Sequence, residues 1–394
     1  MASTEGAIKD QVTQKPNGIK QLIGQIDIRA YTMIGTLIII WLLFGLLHET
    51  FLTPRNLSNL FIQMSVTSIL AIGMVLIIVA GHIDLSVGSL VGLTGGIAAV
   101  LSTSYGLPLW AVILITLLAG ALIGLLQGWL VAYGAIPAFI VTLGGMMAFR
   151  GVLLGMTNGT TISVSDPAFL MIGDAYFTPE FGLFLAALAI SAIAYSVWHK
   201  RRSRLKYGFD VQPMSIDIAK IVFFSVIIIA FVLTMNAYIG IPFPFIFVVL
   251  FALLFHFIAN QTSFGRHVYA IGGNVEAARL SGIPIQRRTM ILFVLSGLLA
   301  AVAAIILTSR LSSATTNAGT MYELDAIAAC VIGGTSLMGG SGTIFGALIG
   351  ALVMTSLDNG MSLLGLETFW QYIVKGVILV LAVGLDILSR KKKA

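Results

Sequence analysis

The sequence predicts an all-α polytopic membrane protein with about twelve transmembrane spans, and three observations predict it. Of its 394 residues, 58% are hydrophobic and only 10% are charged, with a mean hydropathy of +1.01; a soluble globular chain needs a far more charged surface. Apolar runs of about 20 residues, the length that crosses a hydrocarbon core of about 30 Å at about 1.5 Å per residue, recur along the whole chain. The basic residues gather between those runs.

The runs lie over residues 30–48, 58–80, 86–104, 108–132, 137–156, 182–199, 216–236, 242–260, 289–308, 322–338, 343–364 and 368–388. An even number of spans puts both termini on one side. Two places depart from regular helix. Residues 81–89, Gly81-His82-Ile83-Asp84-Leu85-Ser86-Val87-Gly88-Ser89, form a charged, glycine-flanked break, and residues 333–346 hold six glycines. Backbone that leaves the helix at membrane depth must be buried in protein or line a wet cavity, so both broken helices are expected to face the bundle interior. Residues 71–96 and 326–350 also share one order of features, an apolar run, a polar glycine-flanked break and a second glycine-rich run. A duplicated unit gives that order, and so does chance among glycine-rich membrane helices.

Most of the 22 Lys and Arg fall in four clusters: Lys9, Lys15, Lys20 and Arg29; Lys200 to Lys220; Arg266, Arg279, Arg287 and Arg288; and Arg390 to Lys393. Flanking apolar spans in this way is the signature of the cytoplasmic side, so the net charge of +6 reads as topology and not as nucleic-acid binding. The expected division is a cytoplasmic N-terminal arm (1–29), a transmembrane domain (30–388) containing a cytoplasmic loop (261–288), and a basic cytoplasmic tail (389–394). The first apolar run, followed by His48 and Glu49 without a small-residue cleavage pattern, reads as a retained span. Cys330 stands alone in an apolar, alanine-rich run and reads as a packing residue.

No catalytic constellation emerges. The five histidines lack ligand-like spacing, so neither a metal nor a directly bound cofactor is expected. No Gly-Lys-Ser or Gly-Lys-Thr occurs, so this chain is not itself a P-loop ATPase. Intramembrane charge is confined to span ends and breaks, at Asp84, Arg150, Glu323, Asp325, Asp358 and Lys375, which weakens an ion-coupled mechanism.

The most informative polar segment is Asn274-Val275-Glu276-Ala277-Ala278-Arg279-Leu280-Ser281-Gly282-Ile283-Pro284. Asn274 suits a helix N-cap, Glu276 suits the first turn, and Gly282 before Pro284 suits the end. The paired alanines offer a face that a partner can approach closely. On the residues alone, the segment reads either as a docking helix or as an ordinary amphipathic connector.

Glu276-Ala277-Ala278 with Gly282 resembles the EAA-type coupling motif of ATP-binding-cassette importer permeases. Residues 83–89, 269–274 (Tyr-Ala-Ile-Gly-Gly-Asn), 323–329 (Glu-Leu-Asp-Ala-Ile-Ala-Ala) and 333–337 (Gly-Gly-Thr-Ser-Leu) are similar to signature stretches of the monosaccharide permease family of ribose, galactose, arabinose and xylose importers. Residues 357–362 and 368–376 resemble the xylose-type members most closely. The resemblance runs from the first span to the last. It implies a family-like ten-span core, with residues 182–236 as an inserted hairpin, and D-xylose as the expected cargo. His82 departs from the glycine or carboxylate common in the family, so no role is carried onto it.

The resemblance further implies a partner ATPase with two fused nucleotide-binding domains that holds ATP and Mg, a periplasmic sugar-binding protein, a second copy of this chain, and a place in the bacterial inner membrane. The coupling residues it implies are Asn274, Glu276, Ala277, Ala278, Arg279, Leu280, Ser281 and Gly282. Candidates for lining the path are Asp84, Ser86, Asn317, Glu323, Asp325 and Asn359, each of which also fits helix capping or interhelical hydrogen bonding. The rival expectation is an ion-coupled secondary transporter or channel for a small polar solute.

Overall fold

In the computed structural model, which describes residues 28–211 and 213–391, fifteen helices account for nearly all regular structure. In chain order they are α1 (Ile28–Leu47), α2 (Pro54–Val79), α3 (Val87–Thr103), α4 (Leu109–Ala132), α5 (Ala138–Thr157), α6 (Pro167–Asp174), α7 (Pro179–Lys206), α8 (Met214–Asn236), α9 (Phe243–Gln261), α10 (Ser263–Gly273), α11 (Val275–Leu280), α12 (Ile285–Arg310), α13 (Tyr322–Ile332), α14 (Ile344–Leu363) and α15 (Thr368–Lys391). Lys9, Lys15 and Lys20 of the N-terminal arm, and Lys392 and Lys393 of the tail, lie outside the described residues.

Among the described residues, eight helices are long and apolar enough to cross a membrane: α2, α4, α5, α7, α8, α9, α12 and α14. Shorter apolar segments occupy 33–47, 87–103 and 368–384. The chain is a multi-pass membrane protein. The break expected over 333–346 is present, and it cuts one of the expected spans short. Residues 322–338 do not form a continuous crossing helix, because α13 stops at Ile332 after 11 residues, about 16 Å of rise against a core of about 30 Å. The glycines that follow, Gly333 and Gly334, end it, the second with φ +82°.

The helices alternate between two ends of the bundle. At one end, the two-residue strands β1 (Ile162–Ser163) and β4 (Ser313–Ala314) pair, as do β2 (Tyr176–Phe177) and β3 (Ile241–Pro242). There Asn56 and Asn359 also exchange side-chain hydrogen bonds of 2.8 and 3.1 Å. We call this the ladder end. At the opposite end, α10 and α11 fold across the termini of α2 and the segment before α14, and we call this the elbow end.

The core is built around α2, whose spanning window is 94% buried, with α12 and α14 at its sides. Close approach is made possible by glycine. Gly120, Gly124 and Gly128 form one stripe on α4 that meets Gly297, Phe293 and Met290 of α12 with no room for a Cβ. The α7–α8 hairpin is peripheral, only 11% of each spanning window being buried. It touches the body through a cluster of Phe61, Phe231 and Phe245, with ring centroids 4.9–5.2 Å apart. Its exposed faces are Leu, Ile and Phe, which is what a surface solvated by lipid requires.

Candidate functional site

The elbow end carries the segment singled out in the sequence. Thr262 caps α10 by accepting from Gly265 N at 3.3 Å, and Asn274 caps α11 by accepting from Ala277 N at 2.9 Å. The loop expected over 261–288 is therefore two short helices joined at Asn274. Ser281 Oγ donates to Ala277 O at 2.8 Å, and Gly282, at φ +76°, turns the chain toward α12.

The two alanines do not share one face. Ala277 is exposed, whereas Ala278 is 3% exposed and packs against the chain's own body. Successive helical residues point about 100° apart, so only one of the two can face outward when a six-residue helix lies on a bundle. The outward surface is made by Val275, Ala277 and Leu280, and Leu280 is 88% exposed. Glu276 and Arg279 flank it as an exposed ion pair at 3.0 Å.

This elbow is hydrogen-bonded to the second break and packed against the end of α2, where the first break begins. Tyr269 OH donates to Gly342 O at 2.7 Å, and burial pushes the phenol above its ordinary value, so it stays a donor. Gly340 N donates to Val79 O, at the end of α2, at 2.9 Å. Gly272 of α10 sits against Val79 O and Gly340 N so closely that any side chain there would overlap both. α10 therefore contacts the 333–343 segment and the end of α2 directly.

The first break is closed by side chains. Asp84, 1% exposed, accepts through Oδ1 from Ser86 N (2.9 Å) and Ser86 Oγ (2.7 Å), and through Oδ2 from Ser296 Oγ of α12 (3.2 Å). Gln127 of α4 donates to Ser86 Oγ at 2.9 Å. Beside it, Gly81, His82, Ala135, Pro137 and Phe139 border a cavity of about 450 Å³ at the elbow end.

The remaining path candidates scatter. Glu323 is buried at the start of α13, its carboxylate lying over Gly88 of α3, where any side chain would collide with it. Asp325 pairs with Lys375 of α15 at 2.9 Å, and Lys375 also pairs with Asp358 of α14 at 2.8 Å. Asn359 is buried in its pair with Asn56, and Asn317 is exposed in the ladder-end loop. Arg150 of α5 holds that loop by donating to Thr316 O (2.7 Å), Ala318 O (3.1 Å) and Thr320 Oγ1 (2.7 Å). Within one chain, then, five of the six candidates are buried in protein contacts and one is exposed. Sequence reasoning did not single out Gln127 or Ser296, because distances of 41 and 212 residues separate them from the groups they bond.

The family model described as branched-chain amino acid transport system / permease component matches residues 56–383. The chain belongs to that family. It is a transport permease and not an enzyme. It is 47% identical, over 93% of its length and 98% of the relative, to the xylose transport system permease protein of Haemophilus influenzae. To the Escherichia coli K12 protein of the same name it is 45% identical over 95% of each chain. The E. coli K12 ribose import permease is 39% identical over 86% of this chain and 88% of that one. No solved structure matches.

Proposed function

We propose that this permease is the membrane subunit of an ATP-binding-cassette importer that carries D-xylose across the bacterial inner membrane. The observation that carries the reading is full-length similarity to permeases of xylose transport systems, which exceeds that to the ribose permease by 6–8 percentage points of identity. The elbow supports it physically, being an exposed apolar knob on a short helix that adjoins α10, which is bonded to the 333–343 segment and packed against the end of α2.

In this reading the elbow end faces the cytoplasm with both termini, and the ladder end faces the periplasm, where a sugar-loaded binding protein docks. Twelve crossings follow if α13 and the extended 333–343 segment together complete one of them, which agrees with the alternation of ends. Residues 179–236 then supply two spans outside a ten-span core, and two copies of the chain enclose the path. ATP and Mg are held by a partner with two fused nucleotide-binding domains, and its closure moves α11, α10 and the breaks, switching the side to which the path opens. No covalent chemistry on the sugar is required.

The test is ATP turnover by the purified permease–ATPase assembly in the presence of candidate binding proteins. D-xylose-loaded binding protein should stimulate turnover more than a ribose-loaded one. Greater stimulation by the ribose-loaded protein would overturn the cargo assignment, and failure to isolate any ATPase-bearing assembly would overturn the importer assignment.

A further inference from the structure

The segment 333–343 breaks the crossing between α13 and α14, and its conformation is highly specified. Gly334, Gly339 and Gly340 take φ of +82°, +86° and +73°. Ser336 N donates to Ser341 O at 2.9 Å, Gly339 N to Ser336 O at 3.0 Å, and Met338 N to Ser336 Oγ at 3.2 Å, closing a tight turn. Thr335 and Ser336 are buried beneath it. At the tip of this turn Met338 is 80% exposed.

A single exposed apolar side chain is ordinary on any protein surface. Two features separate Met338 from that background. The turn is seated on α10, where a Cβ on Gly339 would lie 2.8 Å from Gly272 O and one on Gly340 would lie 3.1 Å from Gly273 Cα. Gly273 is followed directly by Asn274, the cap of α11, so the turn is continuous with the helix that presents Leu280. Among the described residues, the two side chains are also the most exposed large apolar groups at the elbow end. Arg266, Arg279 and Arg287 are exposed at the same end.

We infer that the 333–343 turn is a second footing of the nucleotide-hydrolysing partner, with Met338 and Leu280 as two apolar anchors of one composite surface. The inference rests on the proposed function, because it takes α11 as the partner's first footing. The complementary surface is a protein face with two apolar depressions and a carboxylate-bearing rim to meet the arginines. Methionine suits this position because an unbranched thioether adapts to an irregular pocket. The consequence is mechanical. The partner pushes directly on the irregular segment between α13 and α14, in addition to reaching it through Tyr269.

The only cysteine, Cys330, is buried, so a cysteine introduced at an exposed position becomes the one accessible thiol. Met338→Cys, Leu280→Cys and, at the ladder end, Met171→Cys (63% exposed in the native residue) should be labelled with a maleimide in detergent, with the ATPase subunit bound and after it is stripped. Labelling at 338 and at 280 should slow by about tenfold or more in the assembly, since the core of an interface excludes water, while labelling at 171 should not change. Met338→Asp should lower ATPase retention by about tenfold, and Met338→Leu should restore it. Equal labelling at 338 with and without the ATPase, alongside protection at 280, would overturn the second footing and leave the importer reading intact. Loss of protection at both positions in an intact assembly would overturn the second footing and the coupling role of α11 together.

Discussion

The two breaks solve one physical problem by different means. Backbone that leaves a helix inside a membrane protein must find hydrogen-bond partners. The segment 80–86 begins on backbone bonds from Ala80, Gly81 and His82 N back to α2, and beyond them it is held by side chains. Asp84 is satisfied by Ser86 and Ser296, and Gln127 extends the network to α4, so the break is locked to α4 and α12, two helices of the same bundle. The segment 333–343 finds them in backbone, at Val79 O and Ser341 O, and in the phenol of Tyr269, which belongs to the elbow outside the spans. The first break is thus tied to helices of the bundle, while the second is tied partly to the elbow, which on the proposed function makes the first a fixed point and the second a joint.

The largest effects should come from removing the anchors around that joint. At the far end of α13, Lys375 neutralises the buried Asp325 and the half-buried Asp358, so Lys375→Met should strand both and cost about 3 kcal/mol. Thermal unfolding in detergent measures it, and an unchanged midpoint would mean that α13 is not held there. At the joint itself, Gly272→Val must displace either Val79 or Gly340 and should cost about 3 kcal/mol, read by the same melt.

The fixed point should respond to Asp84→Ala with about 2–3 kcal/mol lost, because two buried hydroxyls lose their acceptor, whereas Asp84→Asn should retain part of that stability. Tyr269→Phe should separate the two regions most sharply. It removes one hydrogen bond, about 1 kcal/mol of stability, yet transport should fall while the assembly's ATP turnover persists. Transport reduced no more than expression would make Tyr269 a packing residue only. The smallest stability change should follow Glu276→Ala, within about 0.5 kcal/mol, since its ion pair with Arg279 is solvent-exposed. Its effect should appear instead in ATPase retention.

The same comparison explains what the sequence disclosed. Long apolar runs are a local signal, and each run marked in the sequence has a helix in the structure, although α13 is too short to span alone. Both breaks were visible because glycine and charge interrupt apolar runs locally. Their partners were not. Asn56 and Asn359 are 303 residues apart, Ser296 is 212 from Asp84, and no periodicity links such positions. The face of Ala278 was misread for a related reason: a six-residue helix has no periodic stripe long enough to show which side lies on the bundle. The small strands β1 to β4 left no signal, since two-residue ladders depend wholly on where distant loops meet.

The central claim is that an external motor moves the bundle through the elbow. Its most direct test is uptake of radiolabelled D-xylose into proteoliposomes containing the permease, with the loaded binding protein added outside and the ATPase subunit and ATP supplied at the elbow face. Uptake should occur only when the ATPase and ATP are both present, and Tyr269→Phe should lower it. Uptake driven by an ion gradient in vesicles that lack the ATPase would contradict the account.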